Sequence, residues 1–182
     1  MPEPFVGHGP IYTLDGVTPK VAPNAFIAPT AAVIGDVEIG SETGVWFQCL
    51  VRGDLCHVRI GARTNIQDGA IVHVDTGAAA IIGDDVTVGH NAVIHACTLK
   101  NRAFVGISAT VLDGAVIEEG GMLGAGGLLT PGKVIGRNEL WVGAPAKKLR
   151  VMDDAERRRF DRNAVVYREL ARQFRAGLRS AP

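Results

Sequence analysis

The chain has 182 residues, 47% of them hydrophobic and 21% charged, which are the proportions of a single soluble globular domain. Nineteen basic residues against 19 acidic ones leave no net charge, removing the electrostatic basis for binding nucleic acid or an anionic membrane. Three cysteines are too few for a disulfide framework and no apolar run reaches the length of a membrane span; the N-terminus MPEPFVGHGP has neither a basic n-region nor an apolar h-region, so the cytoplasm is the expected compartment.

Residues 1–20 read as an N-terminal cap, with Asp15-Gly16 as a turn that folds a strand over one open end of the repeat region. From 21 to 146 an aliphatic residue recurs every sixth position: Val21, Ile27, Val33, Ile39, Val45 and Val51, then Ile60, Ile66 and Val72, then Ile82, Val88 and Ile94, and after Leu99 from Val105 to Ile135. A helix needs apolar residues three and four apart, and strand alternation would not single out every sixth, so the pattern is that of a parallel β-helix with three short strands per turn. The residue four after each aliphatic is small, as at Ala25, Ala31, Thr43, Cys49, Ala70, Ala92, Thr98 and Ala109, which suits a narrow prism filled by one stack of side chains. Cys49 therefore reads as a core thiol, with Cys56 and Cys97 as further reduced core or corner thiols.

The hexads stop at Pro145, and residues 153–179 read as an α-helix. Asp153 and Glu156 have capping-box spacing, and Phe160, Ala164, Tyr167, Ala171, Phe174 and Leu178 form an apolar stripe that should pack along this prism or a neighbouring one. The arginines on the other face read as solvated or ion-paired.

Because three hexads make a turn, residues 18 apart stack, with an offset for every insertion. His73 and His95 are separated by one turn plus the four extra residues of the loop after His73, so they stack on one face. The same count puts Arg52 one turn below His73 and Asp68 beneath His90, while His90 falls on the preceding face. Only a neighbouring chain can bring His90 to the other two. His8 and His57 have no partners at ligand spacing.

The run RGD at 52–54, IGARTNIQD from Ile60 to Asp68, a histidine five residues later, and GH followed after five residues by a second histidine together resemble the γ-class carbonic anhydrases. The resemblance extends over almost the whole chain and implies a left-handed coil. It also implies a homotrimer with zinc, or Fe2+ or Co2+, bound between subunits by His73 and His95 of one and His90 of the next. Arg52, Asp54 and Asp68 match an intersubunit ion-pair network, Gln67 matches a residue beside the metal-bound solvent, and Tyr167 matches a tyrosine near the metal. The implied reaction is reversible hydration of carbon dioxide to bicarbonate by a zinc-activated hydroxide, with no nucleic-acid or membrane partner. The loop after His73 reads DTGAAA and lacks the glutamates that some members carry for proton export, which leaves Asp75, Tyr167 or buffer for that task. Three other readings stay open: thioester hydrolysis on an acyl-CoA by the same metal, acyl transfer, because VGAPAK also ends left-handed β-helix acyltransferases, and a metal-binding trimer with weak activity.

Overall fold

In a computed structural model that describes residues 9–179, the chain winds into a left-handed parallel β-helix of about 7 turns followed by one C-terminal helix. Its strands form a 12-stranded and an 8-stranded sheet whose neighbours pair in parallel, except for the last pair, Glu139–Val142 with Lys147–Val151. The hexad aliphatics are the core: Ile27, Val45, Ile66, Val88, Val105, Leu123 and Ile135 are fully buried, with Ala25, Ala70, Ala92 and Ala109 beside them. Each small residue leaves room for the branched chain of the turn above, so burial of one aliphatic column stabilises every coil.

Two expectations change. Ile94 and Leu99 are five residues apart, one short of a hexad, so the inward small slot falls on Cys97, 1% exposed, while Thr98 is only half-buried. The Asp15-Gly16 turn does form, with Leu14 and Val17 bridged across it. It closes no end, because Ile11 pairs in parallel with Val33 and Lys20 with Glu38, so both flanks already belong to the first coil and the turn projects sideways from a corner. The parallel ladder offers these strands more backbone hydrogen bonds than a lid would. His8 lies outside the described residues.

The helix Asp154–Gly177 begins at a complete capping box between Asp153 and Glu156. Its stripe packs on its own prism: Phe160 meets Phe104 at one end, and Trp46 takes Tyr167 and Phe174 edge-on, each with ring centroids 5.2 Å apart, farther along. Arg172 pairs with Glu42 and Arg175 donates to the carbonyl of Pro23, so the helix runs back toward the first coils.

Candidate metal centre

The strands Ile71–His73 and Val93–His95 are parallel neighbours of the 12-stranded sheet, with Ile94 opposite Val72 and His95 opposite His73. Inward burial of Val72 and Ile94 turns both histidines outward, one above the other. His73 Nδ1 lies 3.2 Å from His95 Nε2. On the other side of the pair, His73 Nε2 lies 2.9 Å from Asp54 Oδ1, and His95 Nδ1 is hydrogen-bonded to Asp113 Oδ1.

Asp54 stands one turn below, in the long strand Leu50–Ile60, where Arg52 pairs with it. The glycine between them is required by packing: a Cβ on Gly53 would collide with the carbonyl oxygen of Asp36. Burial would raise the Asp54 pKa, but hydrogen bonds from His73, from the backbone and from Arg52 outweigh it and hold the carboxyl below its usual range. The same strand carries His57, whose Nδ1 is 3.7 Å from Cys56 Sγ, and with Asp54 these two residues line a cavity of about 300 Å3.

His90 follows the strand Thr87–Val88 in the 8-stranded sheet. Its Nδ1 faces Asp68 Oδ2 at 3.1 Å, and its Nε2 lies 3.2 Å from the Tyr167 hydroxyl. Burial, then the charge of Asp68, raises the Tyr167 pKa, so the phenol keeps its proton at neutral pH and can donate to His90. Gln67, 5% exposed, follows the adjoining strand Asn65–Ile66 and donates through Nε2 to Asn65 Oδ1 at 3.0 Å, while Asn65 donates to Thr87 Oγ1 at 3.0 Å. The structure thus joins Arg52, Asp54, His73 and His95 in one group and Asp68, Gln67, His90 and Tyr167 in or beside another. Among the described residues, no three His, Cys, Asp or Glu side chains of one chain are gathered to hold a metal.

Asp113, Asn65 and Thr87 are additions to the residues read from sequence. For Asp113 the count gives only a partial signal: the shortened hexad after Ile94 makes residues 17 apart stack, so Asp113 stands one turn above Ala96, next to His95, and its side chain reaches back to that ring.

The donor set suits a divalent cation. A carboxylate only accepts, so Asp54 and Asp113 call for protons on the outer ring nitrogens of the stacked pair, His73 Nε2 and His95 Nδ1. That leaves two lone pairs facing each other across 3.2 Å, an arrangement that needs a proton or a cation between or beside them. His90, with Nδ1 turned to Asp68, carries its lone pair on Nε2, where it accepts from the Tyr167 hydroxyl; a cation there would replace that hydrogen bond. Three imidazoles each backed by a carboxylate form the outer-shell pattern that fixes ligand orientation around a metal.

No family model matches the chain. It is 41% identical over 180 residues to γ carbonic anhydrase 1, mitochondrial, of Arabidopsis thaliana, a match covering 96% of this chain and 66% of the plant protein's own length. It is also 41% identical over 166 residues to the carbonic anhydrase of Geobacillus kaustophilus, covering 91% of each chain. Among solved structures, a hexapeptide transferase family protein from Anaplasma phagocytophilum superimposes with a TM-score of 0.88 at 45% identity, covering 91% of this chain and 98% of the other. With the coil, the stacked histidines and these identities over nearly its full length, the chain belongs to the γ-class carbonic anhydrase family of left-handed β-helix proteins.

Proposed function

We propose that this chain is the subunit of a metal-dependent homotrimer that converts carbon dioxide reversibly to bicarbonate. The observation that carries the reading is the His73–His95 pair, backed by Asp54 and Asp113, with the separately backed His90 facing outward on the other sheet. Cyclic symmetry sets His90 of one subunit against His73 and His95 of the next, so three equivalent grooves each gain three imidazoles. A divalent ion, zinc or alternatively Fe2+ or Co2+, would be held by His73 and His95 of one subunit and His90 of the next, and as a Lewis acid would supply hydroxide at neutral pH.

The chain's own residues do the rest. Gln67, its Nε2 engaged by Asn65, presents Oε1 as an acceptor that orients the attacking water. Arg52, Asp54 and Asp68 hold the histidines in place and neutralise one another across the subunit boundary. Each hydration releases one proton, and the raised pKa of Tyr167 makes its phenol a poor carrier, so the proton leaves through Asp75 or buffer. The three free thiols, with Cys49 and Cys97 pushed up to about 12 by burial, suit a reducing compartment, and we assign the chain to the cytoplasm. Among the described residues, no helix is long and apolar enough to cross a membrane.

The test is hydration of carbon dioxide by protein purified without oxygen, with metal content measured on the same sample. Activity proportional to bound metal is expected; stoichiometric metal without hydration activity would overturn the assignment. Ligand sharing is tested by mixing His73→Ala and His90→Ala subunits through dissociation and reassembly. A groove with His73 and His95 from the His90→Ala chain and His90 from the His73→Ala chain is complete, so mixed trimers should regain metal that neither parent holds.

A further inference from the structure

We infer that Asp113 is a positioning residue of the metal centre: its carboxylate selects the His95 tautomer that presents Nε2 to the shared site. The inference rests on the metal-centre reading. Asp113 lies on the corner after the strand Thr110–Val111, one turn beyond His95, and its Oδ1 is hydrogen-bonded to His95 Nδ1. The corner that carries it is fixed independently of the side chain. The Asp113 carbonyl accepts from Gly132 N at 2.9 Å, and Gly114 N donates to the Ala96 carbonyl at 2.8 Å, tying the corner to the residue after His95.

The side chain has a single assignment. Among the described residues His95 is its one ion-pair partner, whereas Asp54, at the other end of the stacked pair, is shared between His73 and Arg52. At 47% exposure the Asp113 side chain adds nothing to the core, whose inward positions here are Val111 and Ala115. What it does control is the ring beneath it. With a pure acceptor at Nδ1, the His95 proton sits on Nδ1 and the Nε2 lone pair points toward His73 and the outer surface. Without the carboxylate, the ring is free to carry its proton on Nε2 and donate it to His73 Nδ1, 3.2 Å away, which closes the pair as an ordinary hydrogen bond and withdraws one ligand lone pair.

The experiment compares wild type with Asp113→Ala and Asp113→Asn by two measurements. Nitrogen NMR of the metal-free protein, with the His95 ring assigned through His95→Ala, reads the tautomer; chelator competition with Zn2+ reads affinity. In wild type His95 should be the Nδ1–H form. Asp113→Ala should shift it toward Nε2–H and weaken Zn2+ binding by about 10- to 100-fold, the usual cost of losing an outer-shell partner. Asp113→Asn keeps an acceptor oxygen, so it should retain the tautomer and lose less than about tenfold in affinity, being short of one charge only. An unchanged tautomer in Asp113→Ala overturns the inference, as does unchanged affinity. If wild type itself fails to bind Zn2+, the metal-centre reading falls while the tautomer still decides Asp113: a shift upholds its positioning of His95, and no shift overturns it.

Discussion

The Tyr167 hydroxyl lies 3.2 Å from His90 Nε2, joining two residues 77 apart in sequence and tying the C-terminal helix to a candidate metal ligand. The ring of Tyr167 separately packs edge-on against Trp46, so anchoring the helix and holding His90 are distinct tasks of one side chain. Tyr167→Phe keeps the first and removes the second. It should cost about 0.5–1.5 kcal/mol, the worth of one hydrogen bond, in chemical denaturation. Helix content by circular dichroism should stay unchanged, while Tyr167→Ala should cost several times more and undock the helix. Equal destabilisation by the two variants would show that the ring does not anchor the helix.

Removing a ligand should leave the coil intact, because His73, His90 and His95 point outward and the aliphatic columns carry the packing. For each of His73→Ala, His90→Ala and His95→Ala, metal analysis should find less than about a tenth of wild-type occupancy, in line with the loss expected when a catalytic three-ligand set becomes two. Circular dichroism should be that of wild type. A variant that keeps full occupancy identifies a residue that is not a ligand.

Core packing can be tested far from the histidines at Ile117, which is fully buried between Leu99 and Ile135 of the adjacent turns. Ile117→Ala should destabilise by about 2–5 kcal/mol through lost burial and the cavity left in a column with no slack. Urea unfolding monitored by Trp141 and Trp46 fluorescence measures it. A loss below about 1 kcal/mol would mean that the turns relax independently of one another.

Glu139 should make the C-terminal end of the coil acid-sensitive. Its carboxyl is held below the ordinary range by Lys148 and by the Trp141 indole, against an opposing effect of burial, with further help from Gly136 N. A depressed carboxylate stabilises the fold fully above its unfolded pKa, about 4.3, and that contribution disappears as pH falls through the lower folded value. Wild type should therefore lose stability below about pH 5 more steeply than Glu139→Gln, which lacks the titrating group. Thermal unfolding from pH 7 to pH 3 measures the difference; parallel curves for the two proteins would remove Glu139 from the acid response.

The sequence by itself determined everything that the coil's repeat dictates. In a parallel β-helix the count along the chain is the count in space, so a period of six with two identifiable insertions placed His95 opposite His73, Arg52 beneath them and Asp68 beside His90. The capping box at Asp153 and the apolar stripe behind it were legible for the same reason, since each depends on neighbours within a few residues. Where the count failed, a residue was missing from the repeat, as between Ile94 and Leu99, where Cys97 and not Thr98 faces inward. Tertiary structure alone decided what long side chains and corner loops do. Asp113 reaches down one turn to His95, Tyr167 crosses from the helix to His90, the helix lies on its own prism, and Asp15-Gly16 projects from a corner because its flanking strands pair along the coil. These outcomes depend on rotamers and on competition between alternative partners, which sequence spacing constrains only where the backbone itself is periodic.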